Sequence, residues 1–206
     1  MTDTDPIVFI VDDDDSVRKA LTRLIKSVDL NVETFASADD FLKRDSHNGP
    51  ACLVLDIRMP GLSGLDLQDE LVAAGRTLPI IFISAHGNIP LSVRAMKAGA
   101  VDFIEKPFED QTLLDAINQS LKKDRQAKLE QAEVREIQRR ADSLTPRERE
   151  VFALVVSGKL NKQIAFKLGT SERTIKAHRS RVMKKMQANS LADLIRLAER
   201  VATYPA

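Results

Sequence analysis

The 206-residue chain has a single cysteine, Cys52, so no internal disulfide framework can form; its place inside an apolar run predicts a buried thiol without a chemical role. No apolar stretch is long enough to span a bilayer, and the opening Met1-Thr2-Asp3-Thr4-Asp5 is acidic where a secretory leader would be basic. Both absences point to a cytoplasmic protein with no membrane partner. Glycine and proline are missing from Phe108 to Thr145, while Ala, Gln, Glu, Lys and Arg accumulate from Lys122 to Arg140, which predicts a fifth helix running on into a semi-rigid linker. Charge is balanced only in total. The formal net charge is +1, yet residues 1 to 124 hold 13 Lys and Arg against 21 Asp and Glu, net −8, and the remainder holds 18 bases and 9 acids, net +9. An acidic half suits a cation, and a basic half suits phosphate backbones.

Two apolar runs end in acid. Ile7 to Val11 leads into Asp12, Asp13, Asp14 and Asp15, and Ala51 to Leu55 leads into Asp56. Short β-branched runs without polar alternation predict strands buried on both faces, hence a parallel sheet whose C-terminal ends share one edge. Asp14 and Asp15 suit the start of a helix, where acids cap free N–H groups and complement the macrodipole. Asp12 and Asp13 lack that explanation. Crowded with Asp56, they could each take up a proton or share a hard divalent cation such as Mg²⁺. Strands are expected near residues 7 to 11, 31 to 35, 51 to 55, 80 to 83 and 101 to 104. Alternating with helices joined by right-handed crossovers, they give an α/β, doubly wound parallel sheet covered on both faces. A helix is expected from Ser37, with Asp40 completing an approximate capping box, and another from about Asn88 to Ala98, ended by Gly99. His47 and His86 lie in turn-rich segments without metal-ligand company.

The basic half reads as a second, all-α domain. Thr145-Pro146-Arg147-Glu148 supplies an N-cap, a proline at the first helical position and a capping Glu. Asn161 is expected to cap a helix with Ile164, Ala165 and Leu168 inward; Gly169-Thr170 turns the chain, and Ser171 caps the next helix. That is helix-turn-helix spacing. On the last of these, Ile175, His178, Val182 and Met186 share the inner face, which makes His178 a core histidine rather than a ligand. The outer face offers Arg173, Lys176, Ala177, Ser180, Arg181 and Lys184, with Thr174 and Arg179 at its margins. Such a face suits phosphates, and its N-terminal residues suit base edges, although any one cation also fits an ordinary solvated surface. Ser190 signals a final helix bearing Leu191, Leu194, Ile195, Ala198 and Val201 at helical spacing.

Asp12-Asp13 after the first strand, Asp56-Ile57-Arg58-Met59-Pro60-Gly61 after the third, Ser84 after the fourth and Lys106-Pro107 after the fifth resemble the receiver domain of bacterial two-component response regulators. Leu144 to Glu148, Asn161 to Ala165 and Thr174 to His178 resemble the LuxR/NarL helix-turn-helix, and the two together resemble the FixJ branch of transcriptional regulators. This implies a receiver over 1–122, a helical linker over 123–141 and a four-helix DNA-binding domain over 142–206. The resemblance makes Asp56 the acceptor of a phosphoryl group from a histidine kinase. It assigns Mg²⁺ to Asp13, Asp56 and the backbone carbonyl of Arg58, with Asp12 acting through water. Lys106 would pair with Asp56 at rest and with a phosphoryl oxygen afterwards, a cis Lys106–Pro107 peptide aiming it. Ser84 stands where many relatives carry Thr, and its hydroxyl would bond the phosphoryl group. Phe103 would swing inward as a switch, or serve only as a core aromatic. Val93, Lys97 and Asp102 would meet a second receiver on phosphorylation, and the freed basic domain would bind promoter DNA, with RNA polymerase as a partner if the protein is an activator. Two other functions remain open from the residues: DNA binding without a switch, and a Mg²⁺-dependent phosphohydrolase. The second would need a substrate pocket, and the chain gives no sign of a cap domain.

Overall fold

The computed structural model describes residues 5–85 and 89–203, with only the backbone of residues 201–203. Five strands alternate with helices: β1 Ile7–Val11, α1 Asp15–Lys26, β2 Asn31–Phe35, α2 Ala38–Leu42, β3 Ala51–Asp56, α3 Gly64–Ala73, β4 Ile80–Ser84, α4 Ile89–Lys97, β5 Asp102–Glu105 and α5 Asp110–Asp142. Four more helices follow, α6 Pro146–Val156, α7 Asn161–Lys167, α8 Glu172–Met186 and α9 Leu191–Thr203. The chain divides into two compact units, the first ending at Lys128 and the second beginning at Leu129. That boundary falls within α5, which continues as one helix to Asp142.

The first unit is a five-stranded parallel sheet in the order β2-β1-β3-β4-β5. The central strands β1, β3 and β4 are covered on both faces, as their apolar sequences require, while the edge strands β2 and β5 are only partly buried. Phe9, Val11, Leu53, Leu55 and Phe82 pack with Phe41, Leu67, Leu71 and Ala95 of α2, α3 and α4. Val8, Ile10, Val54, Ile81 and Ile83 pack with Leu21 and Ile25 of α1 and Leu113 and Ile117 of α5. Cys52 belongs to this second layer, fully buried, and burial pushes its thiol pKa well up, so it is inert packing. The register sets Val11 opposite Leu55, Asp56 opposite Ile83 and Ser84 opposite Glu105. Parallel pairing thereby carries the C-terminal ends of β1, β3, β4 and β5 to one edge.

Local signals explain most element ends. Asp14 caps α1 by accepting the N–H groups of Ser16 and Val17 at 2.8 and 3.4 Å. Ser37 caps α2 by accepting Asp40 N–H at 3.1 Å, the forward half of the expected box. Gly99, at φ +96°, follows α4, while the expected starting residue Asn88 lies outside the described residues, as does His86.

In the second unit, Ile137, Leu144, Val151, Val155, Ile164, Ile175, Val182, Met186 and Leu194 form one buried core. His178 borders this core, half-buried, with its Nδ1 inaccessible and without a hydrogen-bond partner. Thr145 and Glu148 form a full capping box on α6. One cap differs from expectation. Leu160 occupies the N-cap position of α7, and Asn161 is already helical, its Oδ1 accepting Arg179 Nη1 at 3.2 Å. The exposed backbone N–H of Leu160 is satisfied instead by Gln163 Oε1 at 3.0 Å. Ser171 caps α8 as expected, accepting Thr174 N–H at 3.2 Å.

Lys185 on α8 reaches back to Glu148 on α6, Nζ to Oε2 2.7 Å, and to the Ser143 carbonyl at 3.0 Å. The Lys185 bond, with Thr145 N–H beside it, pulls the Glu148 pKa from 4.5 down to about 2. A carboxylate whose folded pKa is depressed contributes stability above its unfolded pKa, and that stability is lost as pH falls from 4.5 through about 2. Amide hydrogen exchange on α6 and α8 should therefore be faster in Lys185→Met than in the wild type near neutrality. The difference should close between pH 4.5 and about 2; a pH-independent difference would show that Lys185 acts through its aliphatic stem alone.

Candidate functional site

The shared strand edge gathers a compact polar cluster in an otherwise apolar sheet. Asp12 follows β1 and is 1 % exposed, Asp56 ends β3 at 8 %, and Ser84 ends β4 at 2 %. Lys106, just past β5, places its ammonium 3.0 Å from Asp12 Oδ2 and 2.9 Å from Asp56 Oδ1. Backbone amides take the other carboxylate oxygens: Asp14 N–H donates to Asp12 Oδ1 at 2.9 Å, and Arg58 N–H to Asp56 Oδ2 at 2.7 Å. Burial raises the Asp12 pKa, and the neighbouring charge of Asp56 adds to it, against the opposing bonds from Lys106 and Asp14 N–H. Burial alone would lower the Lys106 pKa, but the two carboxylates outweigh it and leave it raised. The ammonium is the charge that lets two buried carboxylates coexist. The Lys106–Pro107 peptide is cis, and Lys106 N–H donates to the Ser84 carbonyl at 2.8 Å, tying β5 to β4 at this edge.

Asp13 differs from its neighbours. It is exposed, and its carboxylate has no hydrogen bond or ion pair among the described residues. No three His, Cys, Asp or Glu side chains are gathered as a ready metal cage among those residues, so the crowded trio expected from the sequence resolves into a pair bridged by Lys106 with Asp13 beside it. The donors are all hard oxygens, with one carboxylate unengaged, which fits Mg²⁺, an ion that takes one or two carboxylates and keeps several waters.

Sequence reasoning missed two supports of this edge. Arg18 on α1 donates from Nη1 to the Asp12 carbonyl at 2.8 Å while Nη2 pairs with Asp15 at 3.1 Å. Its position one turn into α1 was the available signal. Gly64, the first residue of α3, packs on the backbone of Asp56: a Cβ there would stand 2.2 Å from the Asp56 carbonyl oxygen and 3.1 Å from Ile57 Cα. Nothing in the local sequence reveals that approach, because Asp56 and Gly64 meet only when the loop between β3 and α3 closes, Gly64 N–H on the Ile57 carbonyl at 3.0 Å.

The other expected residues lie elsewhere on the two units. Phe103 is half-buried against Phe82, ring centroids 6.5 Å apart. Val93 is 43 % exposed on α4, Lys97 is exposed, and Asp102 accepts the N–H of Phe103 at 2.8 Å. Ile89 at 80 % and Met96 at 45 % add exposed apolar area to α4 that the sequence reading did not single out. On α8, Arg173, Thr174, Lys176, Ala177, Ser180, Arg181 and Lys184 are all exposed, opposite the buried Ile175, Val182 and Met186. Arg179 is half-buried and engaged with Asn161, and the Thr174 hydroxyl lies 2.9 Å from that of Ser171. These two margin residues thus also serve the turn between α7 and α8. On α9, Leu194 is buried and Leu191 is 37 % exposed, while the side chain of Val201 lies outside the described residues. Among the described residues no helix is long and apolar enough to cross a membrane.

Comparison with known proteins agrees with this layout. Residues 8–118 match the family described as "Response regulator receiver domain", and residues 142–198 match "Bacterial regulatory proteins, luxR family". The chain is 51 % identical to Nodulation protein W of Bradyrhizobium diazoefficiens over 196 residues, 95 % of this chain and 86 % of that one. It is 42 % identical to Transcriptional regulatory protein FixJ of Azorhizobium caulinodans over 199 residues, 97 % and 94 % of the two chains. The solved structure of the response regulator StyR is similar at 47 % identity with a TM-score of 0.87, over 96 % of this chain and all of that one.

Replacing Gly64 by Ala forces a methyl into the Asp56 backbone. The substitution should destabilise the first unit by about 1–3 kcal/mol, the usual cost of overpacking, while Gly61→Ala, where a Cβ meets nothing within 4 Å but φ is +77°, tests strain alone. Urea denaturation of both variants checks this, and a Gly64→Ala protein as stable as the wild type would mean that α3 can shift away from Asp56.

Proposed function

The chain belongs to the FixJ-like two-component response regulators, and we propose that Asp56 accepts a phosphoryl group from a histidine kinase. It is a transcriptional regulator in which a receiver domain controls a LuxR-type DNA-binding domain by phosphorylation, not a conventional enzyme. The observation that carries the site assignment is the Lys106 ammonium shared between Asp12 and Asp56 at 3.0 and 2.9 Å. A group that stabilises two carboxylates at rest is already placed to neutralise a third anion.

In the proposed reaction an Asp56 carboxylate oxygen attacks the phosphorus of a kinase phosphohistidine; the phosphorus–nitrogen bond breaks and neutral imidazole leaves with a proton from solvent. Bound Mg²⁺ would neutralise the anionic oxygens during in-line transfer, held by Asp13, Asp56 and the Arg58 backbone carbonyl, with Asp12 acting through water. Lys106 stays on Asp12 and exchanges its Asp56 oxygen for a phosphoryl oxygen. The Arg58 amide holds the second Asp56 oxygen and so aims the first. Ser84, closing β4 beside this edge, donates its hydroxyl to the phosphoryl group, and Phe103 repacks against Phe82 as the switch. Slow loss of the phosphoryl group to water resets the site, the only turnover the protein performs.

The switched surface is the α4–β5 face. Val93, Lys97 and Asp102, with Ile89 and Met96 adding apolar area, then pair two receivers. Dimerisation presents two copies of α8 to promoter DNA, at half-sites about 10 bp apart. Arg173, Lys176 and Ala177, on the first turns of α8, read base edges; Ser180, Arg181 and Lys184 sit on phosphates, and Thr174 and Arg179, which also hold the turn between α7 and α8, flank them at the margins of this face. The protein acts in the cytoplasm, where its DNA lies, and contacts RNA polymerase when it activates.

Phosphotransfer from a purified histidine kinase of this family, followed by footprinting, tests the switch. Wild type should take up label and bind its promoter about 5–150-fold more tightly afterwards, the usual range of such coupling. Asp56→Asn should do neither, and equal DNA affinity in both proteins under phosphorylating conditions would remove the gating role of Asp56. On the DNA side, Lys176→Ala should change which sites are selected from a random pool. Lys184→Ala should weaken all sites alike and lower the salt slope by about one; identical losses for the two would withdraw the base-reading role from Lys176.

A further inference from the structure

The opposite edge of the sheet holds a cleft that the phosphorylation chemistry leaves unused. It encloses about 250 Å³ beside Ala51 at the start of β3 and Thr77-Leu78 just before β4. Its cations come from three separate parts of the chain: Arg44 after α2, Arg76 between α3 and β4, and Lys128 on α5. Lys128 is already engaged, its Nζ 3.0 Å from Asp124 and on the Gly49 carbonyl. Asp124, the one carboxylate in the lining, is 3 % exposed and spent on Lys128 and on the Ala51 N–H at 2.8 Å.

The two arginines have no such paired carboxylate. Neither guanidinium makes an ion pair among the described residues. Arg44 is clamped in place, its guanidinium carbon 4.2 Å from the Phe9 ring centre and 4.4 Å from that of Phe41, with Nη1 donating to the Asp45 carbonyl at 2.9 Å. Its Nε is inaccessible and without a hydrogen-bond partner. An anion in the cleft would therefore meet the terminal nitrogens of the guanidinium, with the Nε–H reporting it through the shared charge. Burial lowers the Arg44 pKa, and the charge of Arg76 lowers it further, outweighing the opposing charge of Glu33 on β2, so the two cations repel across the cleft.

We infer that this cleft is a binding site for a small oxyanion, a metabolite bearing a phosphate or carboxylate group held between Arg44 and Arg76, with the Ser46 and Thr77 hydroxyls as further donors. Its volume lies below the range of about 300–1,000 Å³ typical of drug-sized ligands, which limits the occupant to a compact molecule. The planar fork of a stacked arginine suits such oxygens, because the aromatic clamp has already fixed its orientation. The site is separate from Asp56, so its occupancy does not depend on phosphorylation.

Arginine Nε–H resonances of the full-length protein report on it directly. The Arg44 signal, identified by its disappearance in Arg44→Lys, should shift saturably when sodium pyrophosphate or disodium succinate is added at constant ionic strength. Arg76→Gln, in an exposed loop, should weaken that response by at least about tenfold, the weight of one charge-assisted bond, while leaving the rest of the spectrum in place. Asp56→Asn should respond as the wild type does. Saturation with pyrophosphate alone assigns the site to phosphoryl groups, with succinate alone to carboxylates, and with both to either. A response to neither, or one unchanged in Arg76→Gln, overturns the proposal.

Discussion

One ammonium group organises the receiver. Lys106 closes a triangle with Asp12 and Asp56, three residues separated by 44 to 94 positions in sequence. Without that cation, two buried carboxylates would face each other in a low-dielectric setting, and one would have to take up a proton. Several elements contribute to placing it: β1 and β3 deliver the acids, β5 leads into Lys106, β4 supplies the carbonyl that pins the Lys106 backbone, and Arg18 and Gly64 support the acids from α1 and α3. Burial is the main cause of the raised Asp12 pKa, and the charge of Asp56 adds to it. An additional cation at this edge, or removal of charge from Asp56, lessens the repulsion between the two carboxylates.

The second unit solves a different problem, exposing cations while remaining folded. Its helices bury a single apolar core, and α8 divides along its length: Ile175, Val182 and Met186 inward, the basic residues outward. One basic residue of that helix turns inward instead. Lys185 pairs with Glu148, so the capping box of α6 doubles as the anchor of α8. Arg179 is likewise tethered, to Asn161, and the turn between α7 and α8 is thereby held by side chains that a charge count alone would assign to DNA.

Much of this was legible beforehand where the signal is local. Apolar runs gave β1, β3 and β4 to within one residue at each end, because a strand buried on both faces tolerates no polar alternation. Asp14, Ser37, Thr145 and Ser171 announced helix starts, because a side-chain oxygen near the free N–H groups of a first turn is a short-range event. Asn161 misled for the same reason: Gln163 satisfied the α7 terminus from inside the helix and left the Asn161 side chain for Arg179.

By itself the sequence determined the order and kind of the elements, the acid-terminated strands that share an edge, the divided charge of the two halves and the outward face of α8. These follow from periodicity and from composition over short windows. Only the tertiary structure decided which charges meet. It put Lys106 between Asp12 and Asp56 and left Asp13 outside; it pressed Gly64 onto the Asp56 backbone, and it gathered Arg44 and Arg76 around a cleft with no free carboxylate. Electrostatic partnership depends on distances of a few ångströms between residues far apart in the chain, and such distances exist only once the sheet has brought its edges together.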